Sequence, residues 1–262
     1  MNIFVCVKQV PDTETKILPT GDKSFVDLNN IKWIMNPYDE FAVEQALLVK
    51  QSNPSANITV IRVGSKQSSE AIRTAMAMGA DDGILVETNE QLDAFMTANA
   101  LKAAIEKSGK TPDLIFCGKQ AIDTDSLQVP QLLAQLLNLP SVSVVVNYEQ
   151  NGSTLKLQRE VDGGSLEIYE VNTPCLVACN KGLNTPRYAS LPGIMKAKKK
   201  PLLEISLEQA GVTASHKKVQ YSNFRLPLEK PAGKVFNAQE ESAQKEIVAN
   251  VINLLRTEAK VL

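Results

Sequence analysis

Histidine is almost absent: His216 is the single one in the chain. A Ser/His/Asp or Cys/His nucleophile would have to be built on that residue, and a zinc site would have almost no imidazole to draw on. Cysteine is scarce, and only Cys175 and Cys179 lie close in sequence. They bound an apolar run, PCLVAC, and positions four apart on a strand are roughly 13 Å from each other, too far for a chelate. Four scattered thiols without a disulfide framework suit a reducing compartment. No apolar run approaches the ~20 residues of a membrane span. An excess of one charge is lacking too: 28 Lys+Arg against 29 Asp+Glu exclude a global attraction to nucleic acid. The opening residues, MNIFVCVKQVPD, carry neither the basic start nor the long apolar stretch of a secretion signal. The expectation is a cytoplasmic chain with no membrane insertion and no nucleic-acid partner.

What is present is globular material, 44% hydrophobic over 262 residues, enough for one large α/β domain with or without an appendage. Short apolar runs at 3–7, 58–63, 83–86 and 114–117 read as buried strands. Helical patterns at 38–51, 69–78, 88–108 and 127–137 separate and follow them. Pro37 suits a first-turn position, Gly79 and Gly109 suit helix ends, and Thr88 with Gln91 has capping-box spacing. This alternation predicts a mainly parallel sheet with helices on both faces, a three-layer, Rossmann-like α/β/α fold. After Pro140 the pattern changes to strands at 142–148, 154–161, 165–171 and 175–179, with hairpin turns at Asn151-Gly152 and Asp162-Gly163-Gly164. From about Leu202 the pattern weakens, with Pro227, Pro231 and Gly233 in the stretch 206–240. An apolar helix returns at 245–257. Residues 1–200 therefore read as the domain and 201–262 as an arm that docks on a partner or on the body.

Neither GxGxxG nor GxxxxGK[ST] occurs. Parallel α/β sheets nonetheless bind ligands at the carboxyl ends of their strands, so the loops there carry the argument. The loop 118–128, GKQAIDTDSLQ, leaves a strand through Gly118, which permits close backbone approach, and enters a helix near Asp125 or Ser126. Free N–H groups, the Ser126 hydroxyl and Lys119 suit a phosphate; Asp123 and Asp125 suit ribose or base. Simple N-capping by Asp125 is the plainer alternative. Asn36 and Asp39, at a second loop-to-helix junction, read first as helix caps, with ligand contact as the alternative. Cys6 and Val63 end two strands on the same rim. Further on, Leu191, Ile194 and Met195 are apolar residues in an expected exposed loop that Pro186, Pro192 and Gly193 keep from being helical. Lys196, Lys198, Lys199 and Lys200 follow as a basic cluster, together reading as an apolar docking anchor with a steering patch, or as a solvated run.

Six stretches occur together and in order: VKQVPD at 7–12, NPYDEFAVEQAL at 36–47, IRTAMAMGADDGILV at 72–86, GKQAIDTDSLQ at 118–128, REVDGG at 159–164 and LNTPRYASLPGIMKAKKKP at 183–201. In these the chain closely resembles the beta subunit of electron transfer flavoprotein. The resemblance implies a heterodimer with an alpha subunit. That dimer carries electrons from flavoprotein dehydrogenases of the acyl-CoA dehydrogenase type, hence fatty acid oxidation, to a quinone oxidoreductase or another acceptor. It implies a carrier whose chemistry belongs to a cofactor and not an enzyme in its own right. The redox-active FAD lies mainly on the alpha subunit. The beta subunit holds AMP in the non-bifurcating branch and a second FAD in the electron-bifurcating one. The recognition loop and Lys119 favour AMP.

By motif, the resemblance assigns the cofactor site to Cys6, Asn36, Pro37, Tyr38, Asp39, Val63, Gly118, Lys119, Gln120, Ala121, Ile122, Asp123, Thr124, Asp125, Ser126, Leu127, Gln128 and Val129. It assigns a dehydrogenase-recognition loop to 183–195, with Tyr188, Leu191, Pro192, Ile194 and Met195 facing the partner and Leu191 as the anchor. Thr124, Leu127 and Val129 depart from the family's frequent GKQAIDDDxNQT, and Thr13 stands where an aromatic residue is often found. A flavin-free adenine-nucleotide sensor and a nucleotide-dependent ligase are the readings from other classes.

Overall fold

The computed structural model describes residues 1–230, 232–237 and 240–262, without the side chain of Ser242; Pro231, named above, lies outside the described residues. In chain order the elements are β1 (Asn2–Cys6), β2 (Gln9–Pro11), β3 (Trp33–Met35), α1 (Pro37–Ser52), β4 (Asn57–Gly64), α2 (Ser69–Met78), β5 (Asp82–Glu87), α3 (Ala94–Lys107), β6 (Leu114–Gly118), α4 (Val129–Leu136), β7 (Ser141–Asn151), β8 (Thr154–Glu160), β9 (Leu166–Asn172), β10 (Cys175–Cys179), α5 (Leu191–Ala197), β11 (Leu202–Ser206) and α6 (Glu241–Thr257).

One sheet takes the order β11-β5-β4-β1-β6-β10-β7-β8-β9. It is parallel from β11 to β7 and antiparallel across β7, β8 and β9. The central strands are apolar on both sides because helices cover both. Ile3, Val5, Ile58 and Val60 pack with α1 and α2 on one face. Phe4, Cys6, Ile61 and Val63 pack with α3 and α4 on the other. The sheet is therefore the middle of three layers, as the alternation of strand and helix predicts. The meander extends the sheet, with Leu155 and Leu157 buried. All four cysteines are free and buried. Burial pushes the Cys175 thiol up to about 12, so it stays protonated.

Several expected boundaries move, each for a local reason. The helix expected from Thr88 opens at Ala94 instead. Thr88 closes a turn by accepting from the N–H of Glu90, and Asp93 takes the cap position by accepting from the N–H of Met96 at 2.8 Å. The helix expected from residue 127 opens at Val129, because Asp125 and Leu127 have left-handed φ values of 47° and 49°. The supposed loop at Leu191 is the first turn of α5. Pro192 sits in that turn, where its missing N–H costs nothing, and the Ser190 hydroxyl accepts from the N–H of Gly193. Leu202–Ser206, assigned to the arm by its weak pattern, pairs in register with β5.

The chain divides into two compact units, Met1–Phe224 and Arg225–Leu262. In the second, α6 follows an irregular stretch, and Lys234 pairs with Glu258 at 2.8 Å.

Candidate functional site

Strand order defines where a ligand crevice belongs. From β1 the chain moves to β4 and β5 on one side, then crosses to β6 on the other side of β1. In parallel α/β sheets such a reversal marks the carboxyl ends of the two strands, here at Cys6 and Gly118, as the place where ligands bind. The N-terminus of α1 sits there, and Asp39 joins the two strand ends. One carboxylate oxygen of Asp39 accepts from the N–H of Lys8 at 2.6 Å, beyond β1. The other accepts from the N–H of Gly118 at 3.1 Å, at the end of β6. Gly118 is required here: a Cβ would lie 2.3 Å from Asp39 Oδ1 and 2.7 Å from Tyr38 Cβ. The close approach that glycine permits is thus to α1 of the same chain.

Asn36 completes the brace. Its Nδ2 donates to Asp39 Oδ1 and to the carbonyl of Gln120, both at 2.9 Å, and its Oδ1 accepts from the N–H of Ile122 at 3.2 Å. Its side chain does not cap α1, although it stands at the cap position. Asn36 and Asp39 therefore hold the 118–128 loop against the sheet. Burial pushes Asp39 up to about 7, against the pull of Asn36 and of the Lys8 and Gly118 N–H groups.

The loop itself is organised by its own polar groups. Lys8 pairs with Asp123 at 2.6 Å, and Gln120 Nε2 donates to Asp125 at 2.5 Å. Asp125 thus caps no helix. The Lys119 ammonium lies 5.1 Å from the centre of the Tyr38 ring. The loop turns at Ala121, whose carbonyl accepts from the N–H groups of Thr124 and Asp125. Among the described residues no group accepts the N–H of Ser126, Leu127 or Gln128. Leu127 is left-handed and Gln128 right-handed, at φ −104° and ψ −41°. Successive N–H groups in such alternating geometry form an anion-binding nest. Cys6 and Val63, nearly buried, end their strands on the α3/α4 side, and Pro37 occupies the first turn of α1.

A residue that sequence reasoning missed is Arg62. It is the sole charged residue in NITVIRVG, a strand otherwise buried on both faces, and that interruption was its legible signal. Its Nη1 donates to the carbonyl of Val63, while its Nε is shut from solvent with no acceptor. Burial lowers its pKa to about 10, and the nearby Asp39 and Asp123 counter that.

The residues expected to face a partner lie together on and before α5. Tyr188 is 98% exposed, Leu191 80% and Met195 64%, with Pro192 and Ile194 beside them. Their support is rigid. Arg187 forms a two-point ion pair with the nearly buried Glu44 at 2.7 and 2.8 Å. Arg73 donates to the carbonyls of Ala197 and Lys200. A Cβ on Gly193 would meet the carbonyl of Ala77 at 2.4 Å. Lys200 leaves the expected steering patch: its ammonium donates to the carbonyls of Met76 and Ala80, closing the end of α2. His216 accepts from the N–H of Thr213 in a capping box, a structural task. No group of His, Cys, Asp and Glu among the described residues is arranged to hold a metal, and no helix is long and apolar enough to cross a membrane.

A parallel sheet whose strand order reverses at β1, with helices on both faces and the 118–128 loop braced at the switch point, defines a doubly wound three-layer α/β/α protein. Residues 25–210 match the description "Electron transfer flavoprotein domain". The chain is 41% identical to the electron transfer flavoprotein subunit beta of Bradyrhizobium diazoefficiens, over all of both chains. It is 39% identical to that of Mus musculus, over 89% of this chain and 91% of the relative. It is also 39% identical to the acryloyl-CoA reductase electron transfer subunit gamma of Anaerotignum propionicum, over 79% of this chain and 78% of the relative. The chain belongs to the electron transfer flavoprotein family, among its beta subunits.

Proposed function

We propose that this chain is the beta subunit of a heterodimeric electron carrier, holding AMP at the switch point between β1 and β6 and receiving electrons from flavoprotein dehydrogenases. The observation that carries the reading is the nest at Ser126–Gln128 on the braced 118–128 loop, within a chain of this family. Donors of that kind fit a phosphate, with the edges at Cys6 and Val63 left for the adenosine. The nucleotide there is structural. Asn36, Asp39 and Lys8 hold the loop in shape, and the nest grips the phosphate. FAD, mainly on the alpha subunit, supplies the electron-accepting ring when bound.

The chain's own work toward transfer is docking. Tyr188, Leu191, Pro192, Ile194 and Met195 present an apolar surface held out by Arg187 and Arg73. Small, quickly exchanged interfaces suit a carrier that must leave after each transfer. An acyl-CoA dehydrogenase type of donor accords with the name of the acryloyl-CoA reductase relative. A quinone oxidoreductase is the proposed acceptor, and the cytoplasm the proposed compartment. Residues beyond 224, with Leu228 and Val235 exposed, form the arm that docks on the alpha subunit. Coexpression with an alpha subunit tests the whole. A yellow heterodimer that is reduced by a dehydrogenase and releases AMP on denaturation is expected; a colourless monomer that binds ATP refutes it in favour of a sensor.

A further inference from the structure

Arg62 lies at the carboxyl end of β4, next to β1 in the sheet and beside the switch point. Arg62 is half-buried, with its Nε shut from solvent, and a guanidinium partly withdrawn from water is best stabilised by a counter-charge or a full set of acceptors. This one has neither among the described residues. No carboxylate stands within ion-pair distance of it, its Nε has no acceptor, and its one hydrogen bond goes to the carbonyl of Val63. The two acids nearest in charge are already committed: Asp39 accepts from Lys8, Gly118 and Asn36, and Asp123 is paired with Lys8. The chain also makes room for the head group. A Cβ on Gly64 would lie 2.6 Å from Arg62 Nη2 and 2.9 Å from Ser68 Oγ, so glycine leaves the guanidinium its place beside that turn.

We infer that Arg62 is an anion ligand of the nucleotide site, its guanidinium directed to the phosphate of the adenine nucleotide held at the switch point. The inference rests on the nucleotide reading proposed above and adds the Arg62 guanidinium to the backbone N–H groups at Ser126–Gln128. It makes retention depend on the phosphate more than on the adenosine. A guanidinium–phosphate contact is also a two-point hydrogen bond that a neutral side chain cannot replace.

The test uses the purified full-length heterodimer and follows exchange of labelled AMP, adenosine and inorganic phosphate at equilibrium. Arg62→Gln is expected to weaken AMP about tenfold or more and to leave adenosine within about twofold. Arg62→Lys should recover part of the AMP affinity. Gly64→Ala, which keeps the charge and displaces the head group, should also weaken AMP selectively. Equal weakening of AMP and adenosine would assign Arg62 a merely structural role and overturn the inference, as would unchanged AMP binding in Arg62→Gln. Inorganic phosphate bound as tightly as AMP would assign the residue to a free anion and overturn the nucleotide assignment. Wild-type protein that takes up neither AMP nor adenosine refutes the nucleotide reading itself, an outcome distinct from a failure of Arg62 alone.

Discussion

Leu191→Ala isolates the docking claim from everything else in the molecule. Leu191 is 80% exposed on the first turn of α5, so its side chain contributes little to folding and has most of its apolar area left for a partner. Burying a whole Leu side chain is worth about 1.5–3 kcal/mol, and four fifths of that is about 1–2.5 kcal/mol. At 1.4 kcal/mol per decade this corresponds to a loss of about 5- to 60-fold in affinity for the dehydrogenase. The backbone of α5 is held by Arg73, Arg187 and the Ser190 cap, none of which Leu191 touches through its hydrogen bonds. Rapid-mixing measurement of flavin reduction, with dehydrogenase concentration varied, reads the effect. The half-saturating concentration should rise while the limiting rate, the FAD content and the melting temperature stay as in wild type. An unchanged half-saturating concentration would refute the reasoning, and a matching loss of melting temperature would show that Leu191 supports the fold instead.

Arg187→Ala should destabilise the protein by roughly 2–3 kcal/mol, because Glu44 is left nearly buried without its partner; Arg187 keeps some exposure, which trims the fully buried figure. Combining it with Glu44→Gln should return part of the loss in chemical denaturation, and a purely additive double variant would contradict this. Gly118→Ala should cost about 1–3 kcal/mol and release the nucleotide, since its Cβ meets Asp39 and Tyr38; full nucleotide retention would count against the brace. Asp39 gives a pH dependence. Its pKa rises from 3.8 to about 7 on folding, so its contribution is most favourable below pH 4 and is lost as pH rises through 7. The full span is up to about 4 kcal/mol. Melting temperatures of wild type and Asp39→Asn between pH 5 and 8 should show that downward slope only in the wild type; parallel profiles would sink it.

The layered core was legible because buried parallel strands are uninterrupted apolar runs: 114–117 and 175–179 read directly as β6 and β10. What misled was competition between equivalent local signals. Thr88 and Asp93 are both good caps, and only packing of Met96, Ala100 and Leu101 in the core selects the later one. Leu127 looks like a helical apolar residue, yet its left-handed φ belongs to the nest, a conformation that composition does not announce. The edge strand Leu202–Ser206 has a single buried side chain, Ile205, so its pattern is too faint to read alone. In the site, the residue types at 36–39 and 118–128 pointed to ligand or cap, whereas Asn36 and Asp39 brace one loop against another across 84 and 79 positions of sequence. Lys200 illustrates the same limit. It stands within a basic cluster, and its long side chain folds inward to the end of α2.

The most direct test of the central claim is a cofactor count. The heterodimer of this chain with an alpha subunit is purified, denatured, and its released FAD and AMP are quantified against protein. The expected result is FAD and AMP in equal amounts, with AMP lost selectively from Gly118→Ala. FAD released at twice the heterodimer concentration without AMP, or no nucleotide attributable to this chain, would contradict it.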